Sequence, residues 1–257
     1  MKINFPNSNI KTKEISFNTN LQHDIKIVHI TDTHIGYHFD LEDLHQLVLS
    51  INALKPDIVC FTGDCFDNIK LLNFNPKLII PLLKTIYSKY GKYFVPGNHD
   101  YGSNSISEVL NIITQSGFNV LLNKHHYIQT HGGNILIQGI DDACFGQPSY
   151  NASFKHDEIT PDFSLCLMHE PDNVKLLNPN INLVLSGHTH GGQVRLPKYG
   201  AIYTPDFGKI YKQGLYQIRR YQYLYVNFGI GMTRLPIRLF CQPEIALFHL
   251  KANAYST

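Results

Sequence analysis

The residues Ile25-Lys26-Ile27-Val28-His29-Ile30-Thr31-Asp32-Thr33-His34 decide the fold: a short apolar, β-branched run ends on a carboxylate and an imidazole two positions apart. A run this short with this composition reads as a buried strand over residues 25–31. The pattern recurs at residues 57–62, followed by Gly63-Asp64, and at residues 93–95, followed by Gly97-Asn98-His99-Asp100. Between these runs, residues 41–54 and 76–90 carry apolar positions at helical period. Strand, helix, strand in repetition predicts parallel pairing through right-handed crossovers, because parallel neighbours need long connections.

Downstream the rhythm changes to strands with short connections, at residues 119–122, 125–130, 135–139, 164–168 and 183–186. Gly132-Gly133 marks a hairpin, residues 215–218 and 223–228 form another, and residues 245–250 are the final strand. Ser105 followed by Glu108 predicts a capping box, with Gly117 closing a helix over residues 106–116. No internal repeat, low-complexity tract or linker interrupts the order. Two β layers covered by helices follow, a four-layer αββα sandwich of two mixed sheets, with residues 1–257 forming one α/β domain.

Composition narrows the function. The net charge is +2 over 257 residues, too little field to recruit nucleic acid or an acidic membrane. Five cysteines are scattered and never spaced as CxxC, which argues against a disulfide framework or a thiolate zinc site. Residues 1–20 lack an apolar run long enough for a signal peptide or a membrane span, so a soluble cytoplasmic protein is expected. Fourteen histidines are many for this length, and several stand beside Asp, Asn or Gly.

Five polar clusters fall where strands end: Asp32 with His34, Asp64, Asn98-His99-Asp100, His169, and His188 with His190. Sites of α/β sheets gather outside the carboxyl ends of strands, so these clusters can converge. Carboxylate, imidazole and amide oxygen together suit manganese, iron, zinc or magnesium, and a carboxylate can bridge two ions. A lone Asp or His after a strand is usually a turn former or helix cap; five such clusters in order favour a metal site.

The ordered series D-x-H, G-D, G-N-H-D, H and G-H-x-H across residues 28–192 resembles the calcineurin-like metallophosphoesterase superfamily. The resemblance implies two divalent ions, manganese first, with iron, zinc, magnesium, cobalt or nickel as alternatives. Asp32, His34, Asp64 and His190 would hold one ion, and Asp64, Asn98, His169 and His188 the other, with Asp64 as the bridge. Such a pair, about 3.5 to 4 Å apart, activates water for an in-line displacement at phosphorus. His99 would face the phosphate and protonate the leaving oxygen, while Asp100 would sit behind His99 and fix its tautomer. A scaffold that keeps the fold without catalysis is the alternative from another class.

The stretch Gly187-His188-Thr189-His190-Gly191-Gly192-Gln193-Val194-Arg195-Leu196-Pro197, with Gly229-Ile230-Gly231, Leu235-Pro236-Ile237-Arg238 and Pro243-Glu244-Ile245, is similar to the YkuE-like and YaeI-like bacterial phosphoesterases. These are related to pyrophosphatases that cleave UDP-2,3-diacylglucosamine in lipid A assembly. A nucleotide-diphospho-lipid is therefore a candidate substrate beside a generic phosphate ester, received by the tyrosine- and lysine-bearing residues 198–216; a packed loop and hairpin is the equal alternative. Arg195 and Arg238 are candidate phosphate contacts, or structural residues. The chain departs from the YkuE-like pattern in its missing export segment, so any membrane contact is expected to be peripheral, and residues 71–83 are the place to look for it. Among the other histidines, His38 is a candidate for the site rim; His23, His29, His45, His125, His126, His131, His156 and His249 are expected to be surface or packing residues. Cys65, next to Asp64, is read as a packed thiol.

Overall fold

Alternation along each strand decides which layer its side chains enter. The computed structural model describes residues 10–36, 38–150, 160–233 and 236–252. In chain order the elements are β1 (Lys11–Asn18), β2 (Ile25–Ile30), α1 (Leu41–Ala53), β3 (Ile58–Thr62), α2 (Ile79–Lys84), β4 (Lys92–Val95), α3 (Asn98–Tyr101), α4 (Ile106–Gln115) and β5 (Phe118–Val120). There follow β6 (His125–Thr130), β7 (Gly133–Gly139), β8 (Phe163–Leu167), β9 (Leu183–Ser186), β10 (Arg195–Leu196), β11 (Gly200–Ala201), β12 (Gly214–Arg219), β13 (Gln222–Val226) and β14 (Glu244–Lys251).

Two six-stranded mixed sheets result, ordered β1-β14-β2-β3-β4-β5 and β12-β13-β9-β8-β7-β6. The run β2, β3, β4, β5 is parallel, as the strand-helix rhythm predicts. Ile25 and Ile27 of β2, Ile58 and Cys60 of β3, and Tyr93 and Val95 of β4 share one buried cluster with Leu165 and Leu167 of β8 and Leu183 and Leu185 of β9. That cluster is the seam between the sheets. Their neighbours Val28, Ile30, Val59, Phe61 and Phe94 join the opposite cluster, under α1 and α4. Each fully buried aliphatic side chain is worth about 1.5 to 3 kcal/mol, so this period of two fixes the register. The outer face of the second sheet is covered, among the described residues, by a 3-10 segment, Pro171–Leu176, together with Tyr150, Tyr211 and Tyr216.

Several boundaries depart from expectation for identifiable reasons. The helix expected over residues 76–90 is a 3-10 turn, Pro76–Leu78, and then only α2. Asn52, beyond the end of the opposite helix's buried face, donates to the Thr85 carbonyl at 2.9 Å and accepts from the Tyr87 N–H at 2.7 Å, drawing the chain out of the helix. Ser105 does not cap α4: its hydroxyl donates to the Gly102 and Asp100 carbonyls, and Glu108 pairs with Lys70. The capping box is instead at α1, where Asp40 and Asp43 each accept the other's backbone N–H. Strand β1 was not expected at all. It pairs in parallel with β14 along the sheet edge, and its Lys11, Lys13 and Glu14 face solvent, so its apolar content is confined to Ile15 and Phe17.

Candidate metal centre

The carboxyl ends of β2, β3, β4, β8 and β9 meet at one end of the sandwich, where the two sheets lie against each other. Asp32 and His34 follow β2, Asp64 follows β3, Asn98 and His99 open α3 after β4, His169 follows β8, and His188 and His190 follow β9. The structure brings all of these residues together. Asp32, His34 and His190 offer ligand-type atoms within 4.8 Å of one another, and so do Asp64, His169 and His188.

The two groups touch. Asp64 Oδ2 lies 3.5 Å from His34 Nε2 and 3.2 Å from His169 Nε2, so one carboxylate oxygen borders both. His34 Nε2 and His190 Nε2 are 2.9 Å apart, and Asp32 Oδ1 is 3.3 Å from His190 Nε2. Asn98 Oδ1 is 2.9 Å from His188 Nδ1, which adds the amide oxygen to the second group.

Backbone conformation aims these side chains. Asp32, His34, Asp64, His188 and His190 all have positive φ, between 43° and 68°, a left-handed conformation that costs a non-glycine residue stability and gathers at functional sites. Glycines make the close approach possible. A Cβ at Gly97 would lie 2.4 Å from Asp64 Oδ1, and one at Gly187 would lie 2.2 Å from Asp32 Oδ2.

The far side of each ring is also held. His169 Nδ1 faces the Thr62 carbonyl at 2.6 Å and His188 Nε2 faces the Asp206 carbonyl at 2.8 Å, so each ring donates outward and turns its other nitrogen to the centre. This is the arrangement that orients imidazoles toward a cation. His190 differs, because its Nδ1 faces a donor, Arg238 Nη2, at 3.1 Å.

Buried carboxylates and imidazoles thus point at one space, and positive charge is what such a set accommodates. In the metal-free chain protons supply it. Burial alone would lower the His34 pKa, but the Asp32, Asp67 and Asp64 carboxylates raise it to about 9. Burial works against ionisation of Asp64 too, yet His169, His99 and His34 hold its carboxyl well below the usual range. His169 Nε2 is buried without a hydrogen-bond partner among the described residues. Divalent cations fit this nitrogen and oxygen set with no thiolate in it.

One expectation needs correction. Asp100 does not stand behind His99. It is fully buried, with Oδ2 accepting the backbone N–H of Asp64 and Gly97, both at 2.9 Å, and Oδ1 accepting that of Cys65 at 3.0 Å. Burial and the Asp64 charge raise its pKa to about 7. The residue against His99 is Asp67, which the sequence reading missed: its carbonyl is 2.8 Å and its carboxylate Oδ1 3.5 Å from His99 Nδ1.

Neither arginine is among the residues that line the cavity at the site. Arg195 donates to the Gly191 carbonyl at 2.8 Å. Arg238 is buried and donates to the Gly231 and Phe228 carbonyls as well as facing His190. Their hydrogen-bonding capacity goes to the loops around the centre.

The cavity over the centre has a volume of about 500 Å³ and is lined by Asp64, Asn98, His99, His188 and His190, with Ile202 and Tyr203 at its wall. Residues 198–216 are in part a packed loop: the Asp172 carboxylate accepts from the N–H groups of Lys209, Ile210 and Tyr211. In part they form an exposed apolar rim, since Tyr199, Ile202, Tyr203 and Ile210 are open to solvent. Arg195 and Leu196 pair with Gly200 and Ala201 as the β10–β11 ribbon beside it. His38 does not line this cavity. His29 is a core residue, its Nε2 2.8 Å from Thr62 Oγ1 and its pKa lowered to about 3 by burial. Cys65 is a buried thiol. His156 and Leu235 lie outside the described residues.

The calcineurin-like phosphoesterase family model matches residues 25–192, most of the chain and every one of the clustered residues. The chain belongs to this family. Like its relatives it is a metallophosphoesterase, and the family's dependence on metal agrees with the ligand groups above. The metallophosphoesterase YkuE of Bacillus subtilis is 42% identical over 232 residues, covering 89% of this chain and 79% of its own. A Campylobacter jejuni metallophosphoesterase, Cj0846, is 32% identical, covering 91% of this chain and 61% of its own. Among solved structures, GAP50, the anchor in the inner membrane complex of Plasmodium, is 12% identical with a TM-score of 0.51 over 89% of this chain and 82% of that one, a likeness of fold alone. No helix of the described residues in this family member is long and apolar enough to cross a membrane.

Proposed function

We propose that residues 1–257 form one metallophosphoesterase domain that binds two divalent ions, manganese foremost, and hydrolyses a phosphodiester or diphosphate bond. The observation that carries this reading is the position of Asp64 Oδ2 between His34 and His169. In this reading Asp32, His34 and His190 hold one ion, Asn98, His169 and His188 hold the other, and Asp64 is shared. Bound there, the two ions supply Lewis acidity toward the phosphate oxygens and make water nucleophilic at neutral pH.

The chain's own residues do the rest. His99 lines the cavity with its side chain about one-third exposed. With its Nδ1–H given to the Asp67 carbonyl, His99 serves as acid in the doubly protonated form, whose Nε2–H passes to the leaving oxygen and leaves the neutral ring, a contribution of about 10² to 10⁴ in rate. The backbone N–H of His99 donates to Asp64 Oδ1 at 2.8 Å, which ties the chain at the acid to the shared carboxylate. Asp100 locks the backbone of the Asp64 loop to that of Gly97, so these groups keep their spacing through turnover.

A second reading concerns the group beyond phosphorus. The exposed Ile202 and Tyr203 at the cavity wall favour a substrate with an apolar substituent, and a UDP-diacylglucosamine type of diphosphate is the specific candidate. A cytoplasmic enzyme meeting such a substrate at a membrane face is the matching location. The experiment measures metal per chain by elemental analysis and assays the same sample against an aryl phosphodiester, an aryl phosphomonoester and UDP-2,3-diacylglucosamine with added manganese. About two equivalents or more with diester or diphosphate cleavage supports the first reading, and preference for the UDP-lipid supports the second. Absence of turnover with every divalent metal overturns both.

A further inference from the structure

A second set of ligand-type side chains lies outside the centre, where the loop leaving β7 meets the turn after β8. Asp142, Cys144 and Glu170 each offer one ligand atom, and the three atoms lie within 4.8 Å of one another. Asp142 and Glu170 are almost completely buried, while Cys144 is half-buried. Each carboxylate is tethered by one oxygen. Asp142 Oδ2 accepts the N–H groups of Phe145 and Gly146 at 2.5 and 3.3 Å, and Glu170 Oε2 accepts that of Ala143 at 2.9 Å. The other oxygens, Asp142 Oδ1 and Glu170 Oε1, are buried and have no hydrogen-bond partner among the described residues.

A buried carboxylate oxygen without a partner is costly, and charge repulsion between neighbouring carboxylates adds to the cost. The loop is nevertheless firmly built. Asp141 Oδ1 accepts from the Asp142 N–H at 2.8 Å and the Tyr101 hydroxyl at 2.6 Å, and Asp141 Oδ2 accepts from the Gln147 N–H at 2.8 Å. A Cβ on Gly146 would lie 2.6 Å from the Asp141 carboxylate. So the loop holds the Asp142 backbone in place, and the arrangement asks for a positive charge among the clustered side chains.

We infer that Asp142, Glu170 and Cys144 form a third cation site, separate from the two-metal centre and built of residues that have no part in it. A divalent ion bonded to oxygen at about 2.0 to 2.2 Å and to sulfur at about 2.3 Å fits three atoms at this spacing with little movement. The mixed donor set selects a borderline ion such as Zn²⁺, Co²⁺ or Fe²⁺ over Mg²⁺ or Ca²⁺. On binding, the Cys144 sulfur gives up its proton to bulk water and bonds to the ion as thiolate. Exposure of Cys144 supplies the way in, and open coordination positions are left to water. The ion would fasten the β7 loop to the residue that follows His169.

The test loads the metal-free full-length chain with Co²⁺ and reads both cobalt per chain and the near-ultraviolet thiolate-to-cobalt charge-transfer band. The wild type is expected to show the band, and Cys144→Ser to lose it. Asp142→Asn is expected to bind one equivalent fewer than the wild type and to retain hydrolysis of an aryl phosphodiester. Cys144→Ser, a change of one half-exposed atom, keeps the experiment decisive if Asp142→Asn folds poorly. A wild type without the band, a band that survives Cys144→Ser, or equal cobalt in wild type and Asp142→Asn overturns the site and leaves the two carboxyl groups sharing a proton. The band reports on Cys144 whether or not the chain hydrolyses phosphate esters, so the two readings fail separately.

Discussion

His99 Nδ1 lies 2.8 Å from the carbonyl oxygen of Asp67 and 3.5 Å from its carboxylate. The backbone oxygen alone fixes the tautomer, because it accepts only from an Nδ1–H; the carboxylate adds negative charge behind the ring. Asp67 also approaches His34, with Oδ1 3.5 Å from Nδ1, and this contact keeps its carboxyl below its ordinary pKa. It is therefore an anion at neutral pH, placed between the proposed acid and a proposed metal ligand.

His99→Ala is accordingly expected to lower kcat by about 10² to 10⁴ while metal content stays at the wild-type level. Asp67→Asn keeps the carbonyl and loses only the charge, so a smaller fall in kcat, about tenfold, is expected with KM little changed. Steady-state kinetics on metal-saturated samples, with elemental analysis of each, separates the two effects. Loss of metal in His99→Ala would make it a ligand and contradict its assignment as the acid.

Asp100 belongs to the scaffold, and its variant should behave as a stability mutant. Its carboxylate accepts three backbone N–H groups from two loops in a fully buried position. A hydrogen bond contributes about 0.5 to 1.5 kcal/mol net, and each buried donor left orphaned costs about 1 to 3 kcal/mol. Asp100→Ala is expected to lower Tm by at least about 5 °C in the metal-saturated protein. A thermal melt decides it: an unchanged Tm with a selective fall in kcat would restore Asp100 to the role of partner for the acid.

Why Asp100 was misplaced and Asp32 was not is a matter of what periodicity encodes. Asp32, Asp64, His169 and His188 each stand one or two positions beyond an apolar strand, so the strand's end fixes their address, and a parallel sheet gathers such ends at one edge. Asp67, three residues past Asp64 in a loop, has no such address. Its approach to His99 depends on the turn through Cys65 and Phe66, which neither period nor spacing specifies. Asp100 follows His99 directly, and in a single helical turn such neighbours point in different directions. The same limit applies to β1, whose solvent-facing lysines conceal a strand that only its pairing with β14 defines.

Arg238, read from the sequence as a phosphate contact or a structural residue, joins the loop over residues 228–231 to His190. That loop lies on the centre: the Gly231 N–H donates to the Asp32 carbonyl at 2.7 Å. Arg238→Met, which frees the loop that rests on Asp32, is expected to weaken metal retention by about tenfold through lost positioning of the centre. With metal in excess, KM for an aryl phosphodiester should stay near the wild-type value. Metal titrations at fixed substrate and substrate titrations at saturating metal give the two numbers. A raised KM with normal metal affinity would return the guanidinium to the substrate.

Protons and metal compete for His34. In the metal-free chain its pKa is raised to about 9 by the carboxylates around it, against the opposing effect of burial. A folded-state value above the unfolded value near 6.5 means that the stabilising contribution of this proton is fully present below about pH 6.5 and is lost as pH rises through about 9. The metal-free chain should thus lose stability across that window. A cation at His34 displaces the proton, so metal binding strengthens with pH over the same range and adds its free energy to the folded state. The gap in Tm between manganese-saturated and chelator-treated protein is expected to widen from about pH 6.5 to about pH 9. Melts across this range measure the gap, with proton release on manganese binding followed by calorimetry in two buffers of different ionisation enthalpy. A gap that is constant or shrinks, with no proton released at neutral pH, would show that His34 is already unprotonated in the metal-free chain.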